Sequence, residues 1–219
     1  MHYTKHSITS FIYHADLLVK NSMEVDDIRN AINKYGYGKS EIDRGNHLIS
    51  ELRSATMRQH MAKSEKVKNY KRKQELQMQV HKAYMKYVKI ARIAFSDDVK
   101  ARKALLLDGA RGRVYNMWFA QVKTFCSIML ENGDEYPAVM ARYGIGKEEI
   151  MRLNEQLGEL NKLTDLCLKS VGEVRKLTDR RQKMVIETQH YLSDFLKIAR
   201  IALEYSPQLL ESLGVSVKS

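Results

Sequence analysis

Apolar residues recur every three or four positions along much of the chain, which is the spacing of amphipathic helices. The first such run is Ile8, Phe11, Ile12, Ala15, Leu18 and Val19. A comparable run in the second half is Trp118, Val122, Phe125, Cys126 and Met129. Short helices are predicted to follow near 24–35 and 137–143, the second with Pro137 at its first position, where a missing N–H costs nothing. The pattern predicts an all-α fold.

Two longer stretches, 40–95 and 148–204, contain no proline and no cluster of turn residues. The second one follows heptad spacing at Ile150, Leu153, Leu157, Leu160, Cys167, Val171 and Val174. A continuous helix of about 56 residues would be about 85 Å long at 1.5 Å per residue. Breaks near Ser64 and Gly172 would instead give two antiparallel helices, and the sequence leaves both arrangements open. Either one predicts an elongated helical bundle with long, partly coiled-coil-like helices.

The chain repeats itself at an interval of 108 residues. Residues 34–95 align without a gap to residues 142–203 and are identical at 21 of 62 positions. The six residues that begin at Lys89 recur unchanged in the second copy. Such self-similarity predicts two tandem, related helical units, 1–108 and 109–219, packed together.

A Tyr-Gly-x-Gly turn precedes each long stretch, with its glycines at Gly36, Gly38, Gly144 and Gly146. Gly36 and Gly144 are predicted where a helix ends and the chain adopts a left-handed conformation. Ser40 is predicted to cap the first long helix, with Asp43 in the reciprocal position. The glycine pair beside Lys39 lacks the spacing of a phosphate-binding loop, so a structural turn is the interpretation.

These features resemble a group of uncharacterised bacterial proteins built as tandemly duplicated helical bundles. The resemblance rests on the Tyr-Gly-x-Gly turns, the Ala-Arg-Ile-Ala segments and the closing run at 209–214. Residues 109–113 followed by Trp118 are similar to the junction between halves in that group, although the proline expected near Ala110 is absent. The resemblance covers most of the chain and implies the fold, but no activity.

Charge, hydropathy and cysteine content bear on the cellular location that we expect for the protein. The net charge is +11, and residues 1–108 carry 21 basic and 12 acidic side chains, against 16 and 14 in the remainder. No window approaches the roughly 18 apolar residues of a membrane span, and the amino terminus lacks the pattern of a secretory signal. Two cysteines give no disulfide framework, so a cytoplasmic protein without membrane contact is expected.

The strongest functional indication is a basic segment formed by Arg58, Lys63, Lys66, Lys68, Lys71, Arg72 and Lys73, with Tyr70 among them. Such a density of cations can neutralise phosphates and release counterions. The competing interpretation is the solvated exterior of a long helix, because these side chains spread around its axis. The leading hypothesis is a non-enzymatic interaction or scaffold protein with protein partners or nucleic acid. A polyanion such as nucleic acid would be bound through 58–73. The alternative is a helical-bundle enzyme or small-ligand carrier with a pocket between the halves.

Metal-ligand and catalytic patterns are weak. Glu187 and His190 form a Glu-x-x-His pair, but the equivalent residues of the first half, Gln79 and Lys82, cannot complete a di-metal site. The histidines near the start, His2, His6 and His14, lack metal-ligand spacing on one face. No metal, other cofactor or catalytic residue is predicted.

Four further residues have structural interpretations. Cys126 and Cys167 fall in the apolar phase of predicted helices, where a thiol packs as a small core residue. Arg92 and Arg200 interrupt apolar segments at matching places of the repeat. Each is predicted either to pair with a carboxylate of a partner helix or to extend to the edge of the core.

Overall fold

The computed structural model describes residue 3, residues 7–131, residue 133 and residues 135–215. In these residues the chain forms α-helices and short 3-10 segments, with no β-strand among them. The α-helices are α1 (Ile8–Glu24), α2 (Asp26–Asn33), α3 (Lys39–Ala94), α4 (Val99–Ala104), α5 (Tyr115–Glu131), α6 (Glu135–Ala141) and α7 (Lys147–Ala202). A 3-10 helix follows α7 at Pro207–Leu213. The predicted all-α fold is confirmed.

The two long helices are continuous. Helices α3 and α7 each contain 56 residues, and neither breaks at Ser64 or Gly172. They begin 108 residues apart, at Lys39 and Lys147, and each is preceded by a 17-residue helix and a shorter one. This order of elements is the one that the repeat predicts, while the duplication itself stays an inference from the sequence.

Packing divides the chain into two compact units. The first unit contains residues 1–64 and 172–219, and the second contains residues 65–171. Each unit therefore takes one half of α3 and one half of α7. The boundaries of these packing units differ from the predicted boundary between the repeats, which lies between residues 108 and 109. That repeat boundary remains a prediction from the sequence.

The core of the first unit lies between the start of α3 and the end of α7, which run antiparallel there. Helices α1 and α2 and the 3-10 helix contribute apolar residues to it. Its most buried side chains include Phe11, Leu18, Ile28, Ile32, Ile42, Ile49, Leu52, Leu192, Phe195 and Leu213. Helix α1 starts at a capped end, because the Ser7 hydroxyl accepts the backbone N–H of Ser10 at 3.1 Å. The predicted amphipathic face of this helix is the buried one.

A buried polar contact lies between α3 and α7 in the first unit. The Gln59 side chain is only 3% exposed. Its Nε2 donates to Thr178 Oγ1 at 3.0 Å, and its Oε1 accepts from Arg181 Nη1 at 3.2 Å. A shift of one helix along the other would leave a buried amide without partners, so this contact favours a single register.

The second unit has its own core between the end of α3 and the start of α7, covered by α4, α5 and α6. Its buried side chains include Val80, Tyr84, Val88, Leu105, Leu107, Trp118, Val122, Phe125, Met129, Met140, Leu153 and Leu160. The buried Tyr84 ring packs edge-on against Phe125, with their centroids 5.6 Å apart. Its hydroxyl accepts from Arg111 Nη1 at 3.0 Å, so the polar end of the ring is satisfied.

The turns before the long helices have the expected glycine geometry, but one predicted cap is wrong. Gly36 and Gly144 have φ angles of +85° and +76°, the left-handed conformation in which helices end. Ser40 is not the cap, because α3 already begins at Lys39. In the second turn, the Glu149 carboxylate accepts the backbone N–H of Gly146 at 2.9 Å, which is the carboxylate half of a capping box.

Pro137 lies two positions deeper in its helix than predicted. It is the third residue of α6, which begins at Glu135. The N–H of a third helical residue has no intrahelical acceptor either, so proline is accommodated there. Among the described helices, none has an apolar stretch sufficient to cross a bilayer.

Candidate nucleic-acid interface

The seven predicted cationic residues all lie on α3, in both packing units. Arg58 and Lys63 belong to the first unit, where both side chains are exposed. The other five belong to the second unit, and they are Lys66, Lys68, Lys71, Arg72 and Lys73. This second group adjoins aromatic side chains and a cleft within its own unit, so it is the more promising part of the segment.

Two of these lysines lie against aromatic rings. The Lys66 ammonium is 5.9 Å from the centroid of the Tyr70 ring, one turn further along α3. The Lys73 ammonium is 4.5 Å from the centroid of Tyr115, which belongs to α5. Both distances are within the range of cation–π attraction. Lys68 and Lys71, in contrast, extend into solvent.

Arg72 is paired with a carboxylate. Its Nη2 lies 2.5 Å from Glu159 Oε1 on α7, and both side chains are well exposed. An exposed ion pair of this kind contributes about 0–1 kcal/mol, since solvent competes for both charges. A phosphate group can therefore replace the carboxylate at little cost. No local pattern in the sequence indicates this pair, because its members are 87 residues apart.

An open groove runs along α3 beside these cations. It has a volume of about 730 Å³ and is lined by Lys66, Val67, Tyr70, Lys71, Lys73, Gln74 and Gln77. A second cleft, of about 460 Å³, is lined by Gln74, Gln77, Met78, His81, Gly112, Arg113, Tyr115 and Trp118. Gln74 and Gln77 line both, so the groove and the cleft are contiguous. We call them the basic groove and the Trp118 cleft.

The wall of the Trp118 cleft is held in place by several contacts. The Tyr115 hydroxyl and Thr164 Oγ1 are 3.0 Å apart and share a hydrogen bond, which fixes the outer end of the Tyr115 ring. The rings of Tyr115 and Trp118 have centroids 5.9 Å apart, and the His81 ring is 6.1 Å from that of Trp118. The backbone N–H of Gly112 donates to Gln121 Oε1 at 2.8 Å and anchors the loop before α5.

Part of this site was missed at the sequence level. The residues at 112–118 that line the cleft are more than thirty positions from the α3 segment, and only the fold brings them together. Tyr70, the aromatic residue that the sequence places within the basic segment, is 44% exposed in the structure. An exposed ring beside several lysines is typical of surfaces that contact nucleic-acid bases as well as phosphates.

The Glu187 and His190 pair lies outside the basic groove and the Trp118 cleft. Both side chains line a cleft of about 290 Å³ in the first unit, together with Tyr37, Arg44, Leu48, Tyr191 and Asp194. Across the described part of the chain, no group of three histidine, cysteine, aspartate or glutamate side chains is arranged to hold a metal ion. His2 and His6 lie outside the described residues.

Both cysteines are buried. Burial raises the pKa of the Cys126 thiol to about 12, so the thiolate that a nucleophile requires is disfavoured at neutral pH. This position is that of a core residue in α5, between Phe125 and Met129, which are buried with it.

Comparison of the chain with protein-family models, curated proteins and solved structures found no match. The resemblance to duplicated bacterial helical bundles therefore stays a prediction. The fold defines an all-α helical-bundle protein, and a fold alone assigns no function. The chemistry of the basic groove and the Trp118 cleft is the remaining guide to what the protein does.

Proposed function

We propose that this protein is a non-enzymatic helical interaction protein that binds nucleic acid through the basic segment of α3. The observation that carries this proposal is the basic groove, where Lys66, Lys71 and Lys73 lie beside the exposed ring of Tyr70. Lys68 and Arg72 extend the same stretch of positive charge.

The local charge balance supports a phosphate ligand. Residues 58–73 contain seven lysine or arginine residues and one carboxylate, Glu65. Each cation that replaces a condensed counterion on a phosphate adds to affinity through the entropy of the released ion. Because the helix holds these cations in place, little conformational entropy of the backbone is lost on binding.

The aromatic rings favour nucleic acid over other polyanions. A sulfated polysaccharide offers charge but no planar bases, whereas Tyr70 and Tyr115 present rings on which bases can stack. Lys66 and Lys73 lie against these two rings, so phosphate and base contacts would be adjacent. This combination is the reason for preferring a nucleic acid as the ligand.

A small-ligand carrier is the second candidate. The Trp118 cleft has walls from both predicted halves of the chain, with Gln74 and Gln77 on one side and Arg113 and Tyr115 on the other. Its volume of about 460 Å³ falls within the range of small-molecule sites. Native mass spectrometry of the purified protein would reveal a retained small molecule, and such a species would favour this candidate.

Fluorescence anisotropy with labelled DNA and RNA oligonucleotides, from about 50 to 200 mM salt, tests the nucleic-acid proposal. The test variant is Lys66/Lys68/Lys71→Glu. Its matched control is Lys82/Lys86/Lys89→Glu, which makes the same charge change on exposed positions of the same helix. Glutamate and lysine have similar helix propensities, so neither variant disturbs α3.

We expect wild-type binding that weakens steeply with salt. The test variant should lose at least tenfold in affinity, and its salt slope should fall by about 2, from three contacts at roughly 0.7–0.9 each. The control variant should lose much less. Absence of binding at low salt, or equal losses in the two variants, would overturn the proposal.

A further inference from the structure

The Trp118 cleft contains groups that phosphate binding does not require. Its floor and walls combine the rings of Tyr115, Trp118 and His81 with the amides of Gln74 and Gln77. Amides offer both hydrogen-bond donors and acceptors, as do the edges of nucleobases. The cleft adjoins the basic groove, so a strand whose phosphates lie along the groove would bring its bases to the cleft.

Tyr115 is the ring on which we place the base, which would take the face that the Lys73 ammonium now covers. Its hydroxyl is tied to Thr164 at 3.0 Å, and the Lys73 ammonium lies 4.5 Å from its ring centroid. Stacking on a ring that is already fixed costs little rotamer entropy. Lys73 is at the same time within reach of a phosphate attached to the stacked nucleotide, because its side chain lines the basic groove.

Trp118 provides an unused hydrogen-bond donor beside the cleft. The side chain is only 4% exposed, and in the described part of the chain its Nε1 has no acceptor. A buried N–H without a partner costs roughly 1–3 kcal/mol. A small rotation of the ring toward a base carbonyl in the cleft would satisfy this donor.

We infer that the ligand is single-stranded nucleic acid, bound with its phosphates along the basic groove and with an unstacked base in the Trp118 cleft. This inference rests on the proposed nucleic-acid binding. In a duplex the base faces are covered by their neighbours and only the edges are accessible in the grooves. A cleft that binds a base by its face therefore favours single strands, because a duplex must first extrude a base.

The chain contains one tryptophan, so its emission reports directly on the cleft. We would titrate the full-length protein with a single-stranded oligothymidylate, with a duplex of equal length, and with heparin. Oligothymidylate is expected to quench Trp118 emission in parallel with binding. Heparin, which has charge but no bases, is expected to bind without this quenching. The duplex is expected to bind at least fivefold more weakly than the single strand.

Three variants locate the base contact. Tyr115→Leu removes the stacking ring, and His81→Ala removes an exposed ring that lies beside Trp118. Tyr143→Leu is the control, because Tyr143 is an exposed tyrosine of the same unit that lines neither the groove nor the cleft. We expect Tyr115→Leu and His81→Ala to weaken oligothymidylate binding, the former by about 5- to 100-fold. Heparin binding should be unchanged in all three.

The outcomes separate this inference from the proposal it rests on. If neither nucleic acid nor heparin binds at low salt, the proposed function is wrong. If oligothymidylate binds without quenching Trp118, or as tightly as the duplex, this inference is wrong and the proposed function stands. The same holds if His81→Ala and Tyr115→Leu both bind oligothymidylate like the wild type. Should Tyr115→Leu fail to fold, His81→Ala and the quenching measurement still decide the matter.

Discussion

The Tyr191 ring lies directly over Gly45. A Cβ atom at position 45 would be 2.5 Å from the ring and from its hydroxyl oxygen. That hydroxyl donates to the backbone carbonyl of Glu41 at 2.9 Å, one turn earlier on α3. Tyr191 belongs to α7, so the contact joins the two long helices in the first unit. Glycine inside a helix costs about 1 kcal/mol relative to alanine, and here the close approach of Tyr191 explains why it is present.

Gly45→Ala is therefore expected to destabilise the protein, although alanine is the better helix former. The added methyl group must displace the Tyr191 ring and strain its hydrogen bond to Glu41, at a cost of about 1–3 kcal/mol. The measurement is chemical denaturation followed by circular dichroism. Gly158→Ala is the control, because Gly158 lies inside α7 and a methyl group added there would have nothing within 4 Å. The control should gain up to about 1 kcal/mol. A gain in both variants would contradict the close packing of Tyr191 on Gly45.

Arg92 holds the loop that follows α4. Its Nε donates to the carbonyl of Leu107 at 2.7 Å, and its Nη2 donates to that of Gly109 at 3.4 Å. Of the two predicted alternatives, a carboxylate partner or extension to the edge of the core, the structure shows an exposed side chain whose guanidinium donates to backbone carbonyls. Arg200, at the matching position of the repeat, is exposed as Arg92 is, so the hydrogen bonds to the loop are what distinguish Arg92.

Arg92→Met is expected to reduce the free energy of unfolding by about 0.5–1.5 kcal/mol, because it removes hydrogen bonds from an exposed guanidinium to two carbonyls. Arg200→Met should change it by no more than about 0.5 kcal/mol, as is usual for exposed positions. Both values come from the same denaturation series. Equal effects of the two substitutions would show that the Arg92 hydrogen bonds contribute nothing.

The helices were largely predictable from the sequence, since their ends are marked by local chemistry. The bounds predicted for the long helices, 40–95 and 148–204, differ by one or two residues from those observed. Their continuity was not predictable. Gly172 permits a break but does not require one, and since a Cβ atom added there would have nothing within 4 Å, no close contact constrains this position.

The candidate site was predictable only in part, because charge is visible in a sequence and tertiary contact is not. The cations of α3 were found from their density. Glu159 and Tyr115, which contact Arg72 and Lys73, come from other helices and carry no local signal. The polar contact at Gln59 was missed for the same reason, since its partners lie 119 and 122 residues away.

Cys126 makes stability depend on pH in the alkaline range. Burial raises the pKa of its thiol from 9.0 to about 12 in the folded protein. Between these values the unfolded chain has lost a proton that the folded chain keeps, so the free energy of unfolding falls as pH rises above about 9. Below pH 9 both states are protonated and the stability is fully present.

Cys126→Ala removes this dependence. From pH 9 to pH 10 the wild type should lose about 1 kcal/mol more than the variant, since one proton contributes about 1.4 kcal/mol per pH unit. Burial also raises the pKa values of Tyr84 and Tyr191, but both proteins retain these tyrosines, so the difference between them isolates the thiol. Denaturation curves at several pH values from 8 to about 11 give this difference. Parallel losses in the two proteins would mean that the Cys126 thiol ionises normally.

Glu159 neutralises Arg72, a cation of the basic segment that lies outside the basic groove, because its carboxylate is 2.5 Å from the guanidinium. A phosphate that contacts Arg72 must displace this carboxylate. Glu159→Gln keeps the shape and removes the charge, so single-stranded nucleic acid should bind about two- to fivefold more tightly, the value of an exposed ion pair. The salt slope should become steeper by about 0.7, because one more cation is available to a phosphate. Glu155→Gln makes the same charge change one turn earlier on α7, at another exposed position, and should have a smaller effect. An equal gain from both substitutions would indicate that net charge alone sets the affinity, and that Arg72 has no contact of its own with the ligand.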